Sequence, residues 1–248
     1  MEENGSFTAA RRKGLTASEL KYIAIFTMLC DHIAYLFVPP DMPLYGIMRM
    51  IGRITAPTMC FFISEGYHYT HSLKKYFLRL GVFAVISHFA FAFAFQGGFL
   101  VIGKESVIAT LFLALLAIHI YNTEKIKKAF KLPLILFVLY LSERCDWGMD
   151  AVLFALAFEF ARGKKEDQLL AYGLVAVVRR ILPLIYASIK NIEILEMNWY
   201  NIGVLIPIAL LWLYNGKKGG SKNTKWVFYI FYPAHLLLLG YLNWKYCS

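Results

Sequence analysis

Long apolar runs are the feature that most constrains how this chain can fold. A helix needs about 20 mostly apolar residues to cross roughly 30 Å of hydrocarbon. Nine segments are candidates for such helices: 18–38, 45–67, 77–96, 106–121, 132–142, 147–161, 169–189, 200–215 and 226–242. With 59% hydrophobic and 17% charged residues, the composition excludes a disordered chain and indicates an integral membrane protein. We therefore predict an all-α, polytopic bundle of about nine transmembrane helices.

The rest of the chain predicts one transmembrane domain. Residues 1–14 are polar and predict a loose tail, and residues 15–248 form the membrane domain. The first apolar segment is too long for a signal peptide, and further spans follow it. Four cysteines are too few for a disulfide scaffold. Cys145 and Cys247 fall on the same predicted side of the membrane, which permits a disulfide between them but does not require one.

The basic residues predict the orientation of the bundle. Seventeen precede the first span or lie in alternate connections: Arg11, Arg12, Lys13, Lys74, Lys75, Arg79, Lys125, Lys127, Lys128, Lys131, Arg162, Lys164, Lys165, Lys217, Lys218, Lys222 and Lys225. The opposite side has only four: Lys104, Arg144, Lys190 and Lys245. Because cytoplasmic loops carry the excess of positive charge, the N-terminus is predicted to be cytoplasmic. Topology thus accounts for most of the net charge of +10, and we expect no nucleic-acid partner.

Twelve ionisable residues lie within or at the edge of the predicted spans. They are Lys21, Asp31, His32, Arg49, Arg53, Glu65, His88, Asp150, Glu159, Arg179, Arg180 and His235. Each such group costs about 2.5–3.5 kcal/mol to insert near the bilayer centre, and such groups usually line a site or a pathway. The set therefore predicts a buried functional site.

His32 is the predicted centre of proton chemistry, because histidine acts as an acid or a base near neutral pH. At about 1.5 Å per residue, Arg53 reaches a similar depth on the neighbouring second span, with Arg49 on the same face. Two such arginines suit a carboxylate or a phosphate, unless they pair internally with Asp31 or Asp150. Asp31 either orients His32 or serves an arginine.

Other residues within the spans are candidate binding groups. Lys21 lies about three turns before His32 on the same face, either as part of the site or as an anchor that snorkels to the headgroups. Arg179 and Arg180 lie near mid-span, where they are candidates for binding an anion that enters from the cytoplasm. His235 follows a proline, and the freed backbone carbonyls favour a polar cavity.

Glu65, His68 and His71 recur every three residues at the cytoplasmic end of the second span. Such residue types can ligate a metal ion, but these three side chains spread over about 120° of the helix. We interpret them as interfacial residues and expect no metal.

Several short motifs stand out along the chain: the pair Asp31–His32, Gly52-Arg53 followed by Pro57, the pair Glu65–Gly66, and YPAHL at 232–236. With the longer runs 15–37, 48–80, 86–95, 146–153 and 231–239, these motifs resemble the TraX family over most of the chain. Two features depart from the family pattern. The run AFAFAF at 90–95 has no acidic residue, and Asp150 stands where a small residue is usual.

The resemblance implies an activity as well as a fold. TraX proteins are polytopic bacterial membrane proteins associated with N-terminal acetylation of pilin. They are similar to membrane acyltransferases that carry acetyl groups from cytoplasmic acetyl-CoA across the membrane. Members of that group often have a basic residue eleven positions before a histidine on the first helix, as Lys21 and His32 are here. The resemblance implies a multi-pass acetyltransferase of the bacterial plasma membrane, with acetyl-CoA as co-substrate.

The same resemblance suggests roles for the residues in the spans. His32 is the expected general base or acetyl carrier, assisted by Asp31 and Arg53. The expected binding residues are Lys21, Arg49, Glu65, Asp150, Arg179, Arg180 and His235. The phosphates of acetyl-CoA are expected on Arg179, Arg180 or the connection at Lys74–Lys75. The acceptor is an amine or a hydroxyl, on a pilin-like peptide or an envelope glycan.

A second class of function stays open from the sequence. In a proton-coupled transporter or flippase, Asp31, His32 and Glu65 would relay protons and the arginines would bind an anion. The inverted repeats that would favour this class are not visible. A purely structural assembly factor is the third alternative, and it would tolerate apolar replacements of the charged residues.

Overall fold

Helices make up the fold. A computed structural model describes residues 14–100, 103–190, 198–221 and 224–247. The helices are α1 Ala17–Phe37, α2 Pro43–Gly52, α3 Thr55–Tyr69, α4 Leu73–Gln96, α5 Val107–Asn122, α6 Lys128–Ser142, α7 Gly148–Phe160, α8 Lys165–Ala176, α9 Leu182–Lys190, α10 Ile206–Trp212 and α11 Thr224–Cys247. A π-helical turn, Val177–Ile181, joins α8 to α9, and a 3₁₀ helix, Trp199–Leu205, leads into α10. The described ranges contain no strand, so the all-α prediction is confirmed.

Each of the nine predicted segments is helical over most of its length. Four helical stretches are long and apolar enough to cross a membrane by themselves: Ala17–Phe37, Leu73–Gln96, Lys165–Lys190 and Trp226–Cys247. The predicted tail, residues 1–14, lies outside the described residues except for Gly14. All four cysteines are free, so Cys145 and Cys247 do not pair.

The prediction of one continuous helix over 45–67 is wrong. The helix ends at Gly52 and a second one starts at Thr55. Pro57 has no N–H to donate to the carbonyl of Arg53, so the hydrogen-bond ladder is interrupted there. The chain at this break also packs closely against α1, because a Cβ on Gly52 would lie 2.1 Å from Asp31 Oδ1. Arg53 therefore stands at the break itself.

The helix ends collect at two ends of the bundle. At the first, the basic end, the connections 70–72, 123–127, 161–164 and 213–221 lie together. The Ala17 N–H donates to the Lys217 carbonyl over 2.8 Å, and Lys165 Nζ donates to the Trp212 carbonyl over 2.7 Å. At the opposite end, the Glu105 N–H donates to the Arg144 carbonyl over 2.7 Å. These contacts hold neighbouring connections together at each end of the bundle.

Apolar side chains fill the centre of the bundle and also cover much of its outside. Phe154, Phe158 and Tyr172 are fully buried where α7 packs on α8. The outer faces of two helices expose large apolar side chains, among them Leu78, Val82 and Val85 on α4 and Leu132, Leu136 and Phe137 on α6. Exposed apolar faces of this size mark a surface that contacts lipid or another protein. Together with the four helical stretches that are long and apolar enough to cross a membrane, these faces indicate a membrane protein.

Candidate functional site

Two histidines from distant parts of the chain meet inside the bundle. His32 Nδ1 lies 2.8 Å from His235 Nε2, and their ring planes are parallel to within 1°. His32 is 6% exposed and His235 is 5% exposed. His32 comes from the second half of α1, and His235 comes from the middle of α11. The sequence indicated both residues separately but not their contact.

The hydrogen bonds of His235 fix the proton positions of the pair. His235 Nδ1 lies 2.8 Å from the Phe231 carbonyl, which can only accept, so Nδ1 carries the proton. In the neutral ring Nε2 then accepts, and the donor is His32 Nδ1–H. His32 Nε2 is left with its lone pair and makes no hydrogen bond with a described residue. Such a nitrogen can take up a proton or attack a carbonyl carbon.

A small cavity adjoins His32. It measures about 10 Å³, which holds about one water molecule. Its lining includes His32, Asp31, Gly52, Asp146 and Trp147. The break after α2 supplies one wall, and the turn before α7 supplies another. The break and the turn thus bring polar groups next to His32.

Asp31 serves the arginines rather than His32. Arg49 Nη1 donates to Asp31 Oδ2 over 2.6 Å, and Arg53 Nη2 lies 3.9 Å from Asp31 Oδ1. Adjacent helix residues point about 100° apart, so Asp31 faces α2 while His32 faces α11. The structure therefore brings His32, Asp31, Arg49 and Arg53 together and separates their roles.

Aromatic rings surround both guanidinium groups. Arg53 lies 5.2 Å from the ring centre of Trp147 and 5.4 Å from that of Tyr200. Arg49 lies 5.4 Å from the ring centre of Tyr35. Cation–π contacts stabilise a guanidinium over an aromatic face without neutralising its charge. Both arginines are therefore held in position, and some of their guanidinium N–H groups remain free to donate hydrogen bonds.

Arg179 and Arg180 share a second carboxylate at the same end of the bundle. Arg179 Nε donates to Asp150 Oδ1 over 2.7 Å, and Arg180 forms an ion pair with Asp150 Oδ2. Both arginines belong to the π-helical turn between α8 and α9. Arg180 also lies 5.8 Å from the ring centre of Trp147. The Trp147 ring therefore lies close to both Arg53 and Arg180.

The turn before α7 contributes two residues that sequence reasoning did not assign to the site. Trp147 has φ +66°, a left-handed conformation that is rare for a residue other than glycine and often marks functional sites. Asp146 lies among Asp31, Arg49 and Arg53. Burial raises the pKa of Asp146, and the Asp31 charge raises it further. Tyr200 was missed as well, since an aromatic residue at the end of a span is typical of the membrane interface.

A separate polar cluster lies at the basic end. Arg162 Nη1 donates to Glu65 Oε1 over 2.9 Å. Glu159 accepts from Ser64 over 2.7 Å, while His68 Nε2 lies 2.6 Å and Asn122 Nδ2 2.9 Å from its other oxygen. The structure therefore does not bring Glu65 to the histidine pair. Within the described ranges, no three His, Cys, Asp or Glu residues are arranged to hold a metal ion.

Lys21 also lies towards the basic end. Its Nζ is 4.7 Å from the ring centre of Phe62 and 5.9 Å from that of Phe228. The neighbouring charges are positive, from Lys218 and Arg79. Arg79 packs over the ring of Tyr229 at 5.3 Å, and its buried Nε makes no hydrogen bond with a described residue. Three cations thus lie close together about 16 Å along α1 from His32.

Comparisons with known proteins identify the family of the chain. No solved structure matches the chain. The chain is 34% identical over 241 residues to "Probable fimbrial assembly protein FimC, serogroup H1" of Dichelobacter nodosus, covering 93% of this chain and 96% of that protein. The family described as "TraX protein" matches residues 16–243. The chain, whose Asp31–His32, Gly52-Arg53 and YPAHL motifs all lie inside this match, therefore belongs to the TraX family.

Proposed function

We propose that this protein is a membrane acetyltransferase that moves an acetyl group from acetyl-CoA to an amine or hydroxyl acceptor. The observation that carries the proposal is the His32–His235 pair, whose hydrogen bonds leave His32 Nε2 with a lone pair next to a polar cavity. The relative named as a probable fimbrial assembly protein favours the N-terminal amine of a pilin-like peptide as acceptor. A hydroxyl of an envelope glycan is the other acceptor class.

The proposal includes an orientation in the bacterial plasma membrane. Nine helical units cross between the two ends of the bundle, counting α2 with α3, α8 with α9, and the 3₁₀ helix with α10. The basic end faces the cytoplasm, following the excess of Lys and Arg there. His32, five residues before the end of α1, then lies about 8 Å from the outer end of its helix. The reaction centre is thus closer to the outer surface than to the cytoplasm.

The chemistry follows from the proton positions. The acceptor's N–H or O–H gives its proton to His32 Nε2 while its nitrogen or oxygen attacks the thioester carbonyl carbon. The carbon–sulfur bond breaks, and the CoA thiolate leaves with the proton from His32. His235 Nε2 stabilises the transient imidazolium by accepting from Nδ1–H. In a two-step variant, His32 Nε2 carries the acetyl group first. Arg53 and Arg49 orient the acceptor or stabilise the developing oxyanion.

The phosphates of acetyl-CoA bind the cations at the basic end in this proposal. Lys21, Arg79 and Lys218 lie near one another, and Lys21 shares a helix face with His32. Arg179 and Arg180 already share the Asp150 carboxylate, so we assign the phosphates to the basic end instead. The cavity at His32 holds about one water, so α1 and α11 must separate to admit the thioester.

The test uses the full chain purified in detergent. We expect acetyl-CoA to bind saturably and to raise the melting temperature. We also expect acetyl transfer to amine acceptors, with a rate that falls by at least about 100-fold in His32→Ala. His71→Ala, which removes an exposed histidine, is the control. Wild-type transfer by His32→Ala would contradict the proposal. Uptake of an anion into proteoliposomes driven by a pH gradient, without acetyl-CoA consumption, would favour the transporter.

A further inference from the structure

The guanidinium of Arg53 is buried without a hydrogen-bonding carboxylate. Its side chain is 13% exposed, and the nearest ion-pair contact among the described residues is Asp31 Oδ1 at 3.9 Å. Its Nε is buried and has no hydrogen-bond partner among the described residues. Burying a charged group without hydrogen-bond partners is costly. The Nε donor of Arg53 therefore lacks an acceptor among the described residues, and its nearest carboxylate is beyond hydrogen-bond distance.

The charges around Arg53 leave room for an anion. Arg49 and Arg53 share one carboxylate, and Arg179 and Arg180 share another. Asp146 adds a third carboxyl group, and burial raises its pKa, which favours its neutral form. Even with every group ionised, the four guanidinium groups exceed these three carboxyl groups by one positive charge. One additional negative group would balance these four arginines and three carboxyl groups.

Aromatic side chains shape the approach to Arg53. The rings of Trp147 and Tyr200 lie within 5.4 Å of its guanidinium carbon. The rings of Tyr35, Tyr45 and Tyr200 lie around Arg49 at the same end of the bundle. Tyr35 is exposed at the surface. Aromatic walls hold the guanidinium plane in a fixed orientation, which suits two parallel hydrogen bonds to a carboxylate or a phosphate.

We infer that the acceptor carries a carboxylate or phosphate group, which binds to the guanidinium of Arg53 between Trp147 and Tyr200. This group places the acceptor's nucleophile at His32, so Arg53 selects the acceptor. The inference about the acceptor rests on the proposed acetyl transfer. The anion site itself does not, since it follows from the arginine–carboxylate geometry alone.

The first experiment compares matched acceptors with the purified full chain and acetyl-CoA. O-Phosphoethanolamine is paired with ethanolamine, and glycylglycine is paired with its neutral amide. We expect kcat/KM to favour the anionic member of at least one pair by about 10- to 100-fold, the range of a charge-assisted hydrogen bond. The ratio should fall to about one in Arg53→Gln and recover partly in Arg53→Lys. Arg144→Gln, an exposed arginine at the same end, should keep it.

The second experiment needs no acetyl transfer. Inorganic phosphate and acetate are tested separately for a rise in melting temperature, and they distinguish the two anion chemistries. At least one anion should raise the melting temperature of the wild type and of Arg144→Gln by more than that of Arg53→Gln. Arg53-dependent stabilisation without any acetyl transfer would support the anion site and contradict the proposed function. Equal rates within each acceptor pair, or anion stabilisation of Arg53→Gln equal to that of the wild type, would overturn the inference.

Discussion

His32 and His235 are 203 residues apart in sequence, yet Nδ1 of the first lies 2.8 Å from Nε2 of the second. The Phe231 carbonyl at the far side of His235 determines which nitrogens carry protons. Pro233 lies between these two residues within α11, and it removes one backbone donor from this turn. The local backbone of α11 thus sets the proton position on a residue of α1.

Replacing His235 should slow acetyl transfer without weakening co-substrate binding. In His235→Ala, His32 loses the acceptor for Nδ1–H, and its proton position is no longer fixed. We expect kcat to fall about 100-fold with little change in the KM for acetyl-CoA. His235→Gln, whose amide oxygen can accept from His32, should recover part of the rate. Equal losses in both variants, with a raised KM, would indicate a merely structural role.

The cations at the basic end should govern affinity for acetyl-CoA. We expect Lys21→Gln and Arg79→Gln each to raise the dissociation constant about tenfold, because each removes one charge-assisted contact to phosphate. Calorimetry with the detergent-solubilised protein measures this directly. Lys74→Gln changes an exposed lysine of the neighbouring connection and should have little effect. A larger loss in Lys74→Gln than in Lys21→Gln would place the phosphates on that connection instead.

Removing the Glu159 carboxylate should destabilise the fold. It accepts from Ser64 and Asn122 and lies 2.6 Å from His68 Nε2, so Glu159→Ala leaves the buried Ser64 hydroxyl without its acceptor. We expect a loss of about 3 kcal/mol in unfolding free energy, detected as a lower Tm. Glu166→Ala, at an exposed position near the same end, is the matched control. A Tm equal to that of the control would show that the cluster adds nothing to stability.

Gly52 should not tolerate a side chain. A Cβ there would lie 2.1 Å from Asp31 Oδ1 and 2.3 Å from Asp31 Cβ. Gly52→Ala should therefore cost about 1–3 kcal/mol in stability and disturb the Asp31–Arg49 ion pair. Gly81→Ala is the matched control, because its Cβ would meet only Phe112 at 3.4 Å. Thermal unfolding of the two variants should differ clearly, and equal Tm values would contradict the close packing.

Labelling of cysteines should report the orientation. Cys247 is exposed, whereas Cys60 and Cys145 are buried, and burial raises the pKa of the Cys145 thiol to about 11. A membrane-impermeant maleimide applied to cells with a permeabilised outer membrane should therefore label Cys247. The double variant Cys247→Ser, Lys218→Cys should be labelled only after the inner membrane is opened. The reverse pattern would invert the proposed topology.

The sequence alone determined the class of protein and the position of most helices. Hydropathy acts over runs of about 20 residues, so it identifies spans without knowledge of their neighbours. The cost of placing ionisable groups in the bilayer identified His32, Arg49 and Arg53 as candidates, because such groups are rare within spans unless they have a function. The depth of His32 and Arg53 on adjacent helices likewise predicted that they lie near one another.

Only the tertiary structure decided which of these groups touch. The contact of His32 with His235 depends on how α1 packs against α11, and no local pattern encodes that rotation. The assignment of Asp31 to Arg49 follows from the break after Gly52, which hydropathy does not register. The sequence could not predict that Arg53 Nε lacks a hydrogen-bond partner, because this too depends on the helix break. Which hydrogen bonds a buried charge makes depends on angstrom-scale packing between helices, whereas periodicity and composition describe each helix alone.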